Sequence, residues 1–292
     1  MTAGFLERLA RRSEATRTVL CLGLDPDPAN LPDGFAPTVA GIEAFCRLLL
    51  EAAGPHAAAV KPNLAFFEAH GPAGMAVLER LRAMVPSELP FVADGKRGDI
   101  GSTAAQQAIA LFDRLGADAV TANPYLGAAA LAPLLDRTDR FVYVLCRTSN
   151  PGADELQGLL VAPEPDGSAP AEPLAERVAR RARRWGSGGN VGLVVGATAP
   201  DELARIRAVA PELAFLVPGV GAQGGEVGPV LRHGPASAPP VGLRPGGGLL
   251  VNVSRAIAQA AVGAPPPGSS SDPGERLAAA SRLWAARLPV LP

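Results

Sequence analysis

The chain is poor in the residues that build metal centres and disulfide scaffolds. Three cysteines and three histidines are spread over 292 residues. Cys21, Cys46 and Cys146 are odd in number, and no two have metal-ligand spacing. His56, His70 and His233 form no cluster with them. This pattern excludes a disulfide framework and a structural zinc site, and it fits reduced, buried thiols in a cytoplasmic protein. No apolar run approaches the roughly 18 residues of a membrane span. The opening Phe5-Leu-Glu-Arg-Leu-Ala-Arg-Arg reads as an amphipathic helix, not as a signal-peptide core. Neither sign of charge is in excess: 27 basic side chains face 28 acidic ones. A general nucleic-acid or membrane surface is therefore not expected. The arginine clusters at 11–12, 180–181 and 183–184 read as solvated helix faces.

Apolar residues make up 48% of the chain, and they come in short runs. Eight stand out, at 19–24, 58–61, 91–93, 119–122, 141–146, 191–195, 214–217 and 249–253. They are continuous rather than alternating, as in strands covered on both faces. Helical patterns separate them, at 42–53, 73–84, 103–115, 128–135, 173–184, 201–210 and 225–231. Repeated strand–helix alternation predicts a parallel sheet, and eight strands favour closure into a (β/α)8 TIM barrel of the α/β class. We expect one domain over 1–292, with an N-terminal helix and a C-terminal helix near 275–288. Three stretches break the rhythm. Residues 147–172 are long enough to act as a lid. Residues 233–248 approach the last strand by a path the pattern leaves open. Residues 263–274 are rich in Pro and Ser.

In a closed parallel barrel the active site lies at the carboxyl ends of the strands. The residues that follow the apolar runs are Asp25, Lys61, the group Asp94, Lys96 and Asp99, then Thr148 and Ser149, then Pro218-Gly-Val-Gly-Ala-Gln-Gly-Gly, and finally Ser254 and Arg255. Charges of both signs from distant segments would thus share one rim. Asp94 and Lys96 would point to one face if strand three continues that far. A structural ion pair is the alternative, with Asp99, Ser102 or Thr103 capping the next helix. The cost of burying such charges favours function. The motif Gly219-x-Gly221-x-x-Gly224 matches a dinucleotide fingerprint in form. It comes after seven strands, however, and Arg244 stands where an acid is needed. A phosphate cradle between strands seven and eight, with Arg255 as its cation, fits better than a mere tight turn.

Asp94-x-Lys96-x-x-Asp99 followed by Ile100-Gly-x-Thr103 resembles the signature of the orotidine 5′-phosphate decarboxylases. The companions agree in kind and order: Leu24-Asp25, Val60-Lys61-Pro-Asn, Thr148-Ser149-Asn-Pro-Gly, Pro218-Gly-Val-Gly-Ala-Gln223-Gly224-Gly and Val253-Ser254-Arg255. The segment after strand five resembles a subfamily common in actinobacteria. The resemblance implies cofactor-independent decarboxylation of orotidine 5′-monophosphate to uridine 5′-monophosphate, the last step of de novo UMP synthesis, in the cytoplasm. Lys96 would stabilise and protonate the C6 carbanion, with Asp94, Asp99 and Lys61 as its charge network. Asp25 would hold the ribose, Ser149 the pyrimidine edge, and Pro218, Gln223, Gly224, Ser254 and Arg255 the phosphate end. Asp99, Ile100 and Thr103 would serve the neighbouring subunit of a homodimer. No metal is implied.

Two alternatives remain open at this point. One is a sugar-phosphate enzyme of the same suprafamily, a 3-keto-gulonate phosphate decarboxylase or hexulose-phosphate synthase, working through a magnesium-bound enediolate. The other is a silent barrel that binds nucleotides as a regulator. Lesser expectations are that Phe66-Phe67-Glu68 is packing, that Asp118 is no more than a loop acid, that Arg97 is solvated, and that Gly95 loosens the backbone.

Overall fold

The computed structural model describes residues 4–186, 189–263 and 270–291. Eight strands form one parallel sheet: β1 Leu20–Leu24, β2 Ala59–Pro62, β3 Val92–Arg97, β4 Ala119–Ala122, β5 Phe141–Arg147, β6 Val191–Val195, β7 Ala214–Val217 and β8 Leu250–Val253. The order is β2-β1-β8-β7-β6-β5-β4-β3. Bridges from Val60 to Phe91 and from Asn63 to Asp94 join its edges, so the sheet closes on itself. Among the described residues nine longer helices surround or cap it: α1 Phe5–Thr16, α2 Val39–Ala53, α3 Gly71–Met84, α4 Gly101–Ala108, α5 Ala128–Leu135, α6 Leu174–Ala182, α7 Pro200–Val209, α8 Val227–His233 and α9 Pro273–Arg287. This is the (β/α)8 barrel that the run pattern predicts.

The continuous apolar runs have two faces because the barrel has two cores. Residues of one parity point inward: Cys21, Ala59, Val92, Ala119, Tyr143, Val194, Leu216 and Leu250 belong to one buried cluster. Those of the other parity, such as Leu22, Val60, Val120, Val142 and Leu193, pack outward against the helices in a second. Local chemistry starts the helices where the chain needs them. Thr38 Oγ1 accepts from the Gly41 amide at 3.2 Å at the head of α2. Asp272 caps α9 through the Gly274 amide at 2.9 Å, with Pro273 in the first turn.

Helix α1 closes the amino-terminal end of the barrel. Its Phe5 stacks on Phe141 at 4.9 Å between ring centroids and meets Tyr143 edge-on at 5.9 Å. Asp118 ties this closure down and is more than a loop acid. It is buried, accepts from Arg8 Nη1 at 2.6 Å, and takes the Phe91 amide at 2.9 Å. The arginine clusters are likewise anchored rather than simply solvated. Arg12 donates to the carbonyls of Gly54, Pro55 and Ala57. Arg180 pairs with the buried Glu172, and Arg183 with Glu212.

Two long connections acquire form. The segment after β5 contains a helical turn, Asp154–Gln157, and a small antiparallel ribbon joining Leu160–Val161 to Glu172–Pro173. Arg177 clamps it to α6 through Glu164 at 2.8 Å and Glu172 at 2.7 Å. Residues 233–248 run beneath the barrel, where Gly246 lies against Val19 and Ser13 of the α1–β1 corner. The stretch 263–274 is described only at 263 and from 270, so most of it lies outside the described residues.

Phe5→Ala is expected to remove the aromatic plug and cost about 3–5 kcal/mol. Urea unfolding followed by circular dichroism checks this; an unchanged midpoint would mean that α1 does not hold the barrel closed.

Candidate active site

Near the carboxyl ends of the strands, the inward-facing positions change from apolar to polar. On β2 the inward residue after Ala59 is Lys61, on β3 Asp94 follows Val92, and on β4 Thr121 follows Ala119. Asp25 follows β1, and Asn252 and Ser254 stand at the end of β8. Together they line a cavity of about 460 Å³. The arrangement follows from parity: in a parallel barrel, residues two apart on a strand face the same axis at successive heights.

Asp94 is the centre of the network. Its Oδ2 accepts from Lys61 Nζ at 2.6 Å, and its Oδ1 accepts from Lys96 Nζ at 2.8 Å. Thr121 Oγ1 donates to the same Oδ1 at 2.8 Å and accepts the Lys96 amide at 2.9 Å. The two lysines differ in setting: the Lys61 side chain is 5% exposed, that of Lys96 49%. Asp94 and Lys96 do not meet by simple strand alternation. The register of β3 shifts between Ala93 and Arg97, and Lys96 has a left-handed φ of 49°. The intervening Gly95 is a fitted residue, not a loosening one. A Cβ there would come within 2.7 Å of Leu64 Cδ1.

Burial by itself would push the Asp94 carboxyl up, but Lys61 and then Lys96 outweigh it and hold it well below the usual carboxylate range. Burial would likewise push Lys61 down, yet Asp94 and then Asp25 hold its ammonium above the ordinary lysine value. Beneath this layer the buried Cys21 thiol is pushed up to about 12 by desolvation, so it stays protonated and inert. Two oxygens facing this region have no hydrogen-bond partner, Asp25 Oδ1 and Asn252 Oδ1. Buried acceptors left open in a cavity call for donors from a ligand.

At the other end of the cavity, the glycine-rich loop after β7 and the start of the turn after β8 bring Gly219, Val220, Gln223 and Arg255 together. Gly219 has φ +98°, and a Cβ there would sit 2.9 Å from Ser149 Cβ and 3.0 Å from Gln223 Oε1. Only a glycine lets those two side chains flank the loop so closely. The loop is also a tight turn, with the Gly225 amide bonded to the Gly219 carbonyl at 3.0 Å.

Of the residues singled out from the sequence, Asp25, Lys61, Asp94, Lys96, Ser149, Pro218, Gln223, Ser254 and Arg255 line this one cavity. Asp99, Ile100, Thr103 and Gly224 do not. Asp99 accepts the Ile100 amide at 2.7 Å and caps nothing; α4 begins without a side-chain cap. Arg97, expected to be solvated, pairs with Glu68. Thr121, Asn252 and Gln157 also line the cavity without having been singled out from the sequence, as do Asn63 and Asn150, which belong to the quoted motifs but were given no role. For Thr121 and Asn252 a signal exists: each is the lone polar residue of an otherwise apolar strand. Gln157 carries no such mark, because it arrives from the folded segment after β5 and holds Thr148 through its amide nitrogen at 2.8 Å.

Barrel and site define a class: a barrel enzyme whose mouth sets a fixed ammonium–carboxylate network beside a glycine-rich loop and an arginine. Within that class the chain belongs to the orotidine 5′-phosphate decarboxylase / HUMPS family, whose profile matches residues 18–264. It is 44% identical over 260 residues to an orotidine 5′-phosphate decarboxylase of Herpetosiphon aurantiacus, covering 89% of this chain and 91% of that one. It is 49% identical over 253 residues to the protein of that name from Halorubrum lacusprofundi, covering 87% of each. The solved OMP decarboxylase of Leishmania donovani superposes with a TM-score of 0.79 at 40% identity over 97% of both chains.

Asp94→Asn should leave the Lys61 ammonium buried without its counter-charge and cost about 3–5 kcal/mol of stability, read by urea unfolding. The parent network has a defined pH window. Asp94, lowered in the fold, stabilises above its unfolded value of about 4, and that contribution is lost as pH falls toward its folded value. Lys61, raised in the fold, stabilises below its unfolded value of about 10.4, and that contribution is lost as pH climbs through its folded value. Stability that falls steadily between pH 5 and 9 would contradict this assignment.

Proposed function

We propose that the chain decarboxylates orotidine 5′-monophosphate to uridine 5′-monophosphate and carbon dioxide, the last step of UMP synthesis, using its own side chains alone. One observation carries the reading: Asp94 is held between two ammonium groups in the cavity wall, Lys61 enclosed and Lys96 half exposed. Loss of carbon dioxide leaves an electron pair on pyrimidine C6. The Lys96 ammonium stabilises that charge, then transfers its Nζ proton to C6, and the resulting amine regains a proton from water. Ionised Asp94 faces the departing carboxylate with like charge and keeps Lys96 in place. Lys61 makes that ionisation sustainable at a buried position. Asp25, with its open oxygen, accepts a ribose hydroxyl. Ser149 meets the pyrimidine edge. Gln223, Arg255 and the loop of Pro218 and Gly224, with Ser254, receive the phosphate.

Asp99, Ile100 and Thr103 take their roles from a homodimer. They lie on the rim outside the cavity of their own chain. Around them is an apolar surface with Ile100 69% exposed, Tyr125 77% and Leu126 54%, on adjoining loops where Gly98 packs against the Asn123 carbonyl. Such a surface suits a two-fold contact that carries Asp99 into the partner's site. The three cysteines are unpaired and buried, which suits the cytoplasm.

Absorbance of the purified chain with orotidine 5′-monophosphate and excess chelator tests the activity; conversion is expected, and a requirement for added magnesium would favour an enediolate-forming enzyme instead. Lys96→Ala should lower kcat by at least about 10⁴-fold while uridine 5′-monophosphate still binds, since proton donor and charge stabiliser vanish together. Near-parental turnover would remove Lys96 from the chemistry. Mixing inactive Asp94→Asn and Asp99→Asn chains should restore about one quarter of parental activity, because half of freely exchanged dimers are hybrids with one intact site. No recovery after verified subunit exchange would argue against shared sites.

A further inference from the structure

The opposite end of the barrel carries a second, larger cavity that the decarboxylation leaves unused. It measures about 640 Å³ and opens between α1 and the turns preceding β3, β4 and β5. Its charge is lopsided: Arg8, Arg11, Arg12, Arg82 and Arg140 face Asp118, Glu88 and Asp139. The one buried acid is already occupied. Asp118 Oδ1 accepts from Arg8 Nη1 at 2.6 Å, and Oδ2 takes the Phe91 amide at 2.9 Å and Arg8 Nη2 at 3.2 Å. Arg82 Nη2 and Arg140 Nη1 stand 3.8 Å from Asp118, beyond hydrogen-bond reach. Glu88 is exposed, and Asp139, whose side chain is 59% exposed, meets Arg140 Nε at 3.1 Å in a pair that solvent screens.

The guanidiniums are nonetheless fixed in place. Arg82 donates Nε to the Gly116 carbonyl at 2.9 Å and Nη1 to that of Val85 at 3.3 Å. Arg140 donates Nη1 to the Ala117 carbonyl at 3.0 Å, and its buried Nε, ion-paired at 3.1 Å with Asp139 Oδ2, makes no hydrogen bond of good geometry among the described residues. Among the described residues, Arg82 Nη2 donates to nothing. Burial, with Arg8 and Arg140 as like charges, holds Arg82 below the usual arginine range. Rigid guanidinium forks, with Arg82 Nη2 still unspent, match phosphate oxygens in geometry and charge. The lining contains no aromatic ring on which a base could stack.

We propose that this cavity is a binding site for a di- or triphosphate group, recognised through Arg82 and Arg140 with the arginines of α1, and separate from the decarboxylation site. Inorganic pyrophosphate and a nucleoside triphosphate share the chemistry. By bridging α1 to the turns beneath β3 and β5, the bound anion fastens the plug that closes the barrel.

Isothermal titration with sodium pyrophosphate, and separately with adenosine triphosphate, tests the proposal. Both should bind; a triphosphate affinity more than tenfold above that of pyrophosphate would assign the nucleotide as the physiological source, and a smaller gap free polyphosphate. Arg255→Ala, which disables the active-site cradle, should keep this binding, whereas Arg82→Gln and Arg140→Gln should each weaken it at least tenfold. Loss of all binding in Arg255→Ala, or parental binding in both glutamine variants, overturns the proposal. Should the glutamine variants fail to fold, phenylglyoxal footprinting of the parental chain takes their place. Pyrophosphate is expected to slow modification of Arg82 and Arg140 at least threefold, and equal rates with and without it overturn the site.

Discussion

A single carboxylate, Asp94, held between two ammonium groups at the mouth of the barrel, is the interaction on which the site depends. Charges in such a place are tolerated only when each finds its counterpart at hydrogen-bond distance, because neither water nor backbone can replace a missing partner. Lys61 and Thr121 meet that condition from the neighbouring strands β2 and β4, at 2.6 and 2.8 Å. The result is asymmetric. One ammonium is enclosed, its side chain 5% exposed, while the other is 49% exposed at the cavity mouth. The break in β3 register and the left-handed backbone of Lys96 bring this second ammonium back over Asp94.

The use of cations across the molecule follows the same physics. Of 27 basic residues only two are lysines, Lys61 and Lys96, and both belong to the Asp94 network. The other 25, the difference of those two counts, are arginines. Arginine fastens segments by donating in several directions at once, as Arg12 does to three carbonyls and Arg177 to two glutamates. It does not surrender a proton in a protein, whereas a lysine ammonium can. The proton delivery proposed for Lys96 therefore calls for lysine even in a chain that otherwise uses arginine throughout. The arginines below the barrel do the same for α1, where Arg8 bonds Asp118 and the Ser87 carbonyl.

The strands are readable because a barrel buries both faces of each one, so the apolar runs are unbroken and their ends mark the rim. Asp25, Lys61, Asp94, Ser149 and Arg255 stand at or within three residues of the ends of five runs, and all of these line one cavity. Thr121 and Asn252 escape such a reading because they sit inside runs rather than after them; only inward parity gives them meaning. Gln157 escapes it because its place depends on how residues 147–172 fold back, and ion pairs of Arg177 and Arg180 with Glu172 decide that. Asp118 looks like a loop acid in the sequence because its partners Arg8 and Phe91 are remote along the chain.

The order of residues alone set the alternation of eight strands with helices, the closure it favours, the residues at the rim and the resemblance to a decarboxylase family, since periodicity and short motifs are local properties. Distances were beyond it. Which oxygen of Asp94 each lysine takes, why Gly219 is glycine, how α1 plugs the barrel, and where five arginines converge on one cavity all arise from segments far apart in the chain. Those facts exist only once the sheet has closed and packing has put strangers in sequence within a few ångströms of one another.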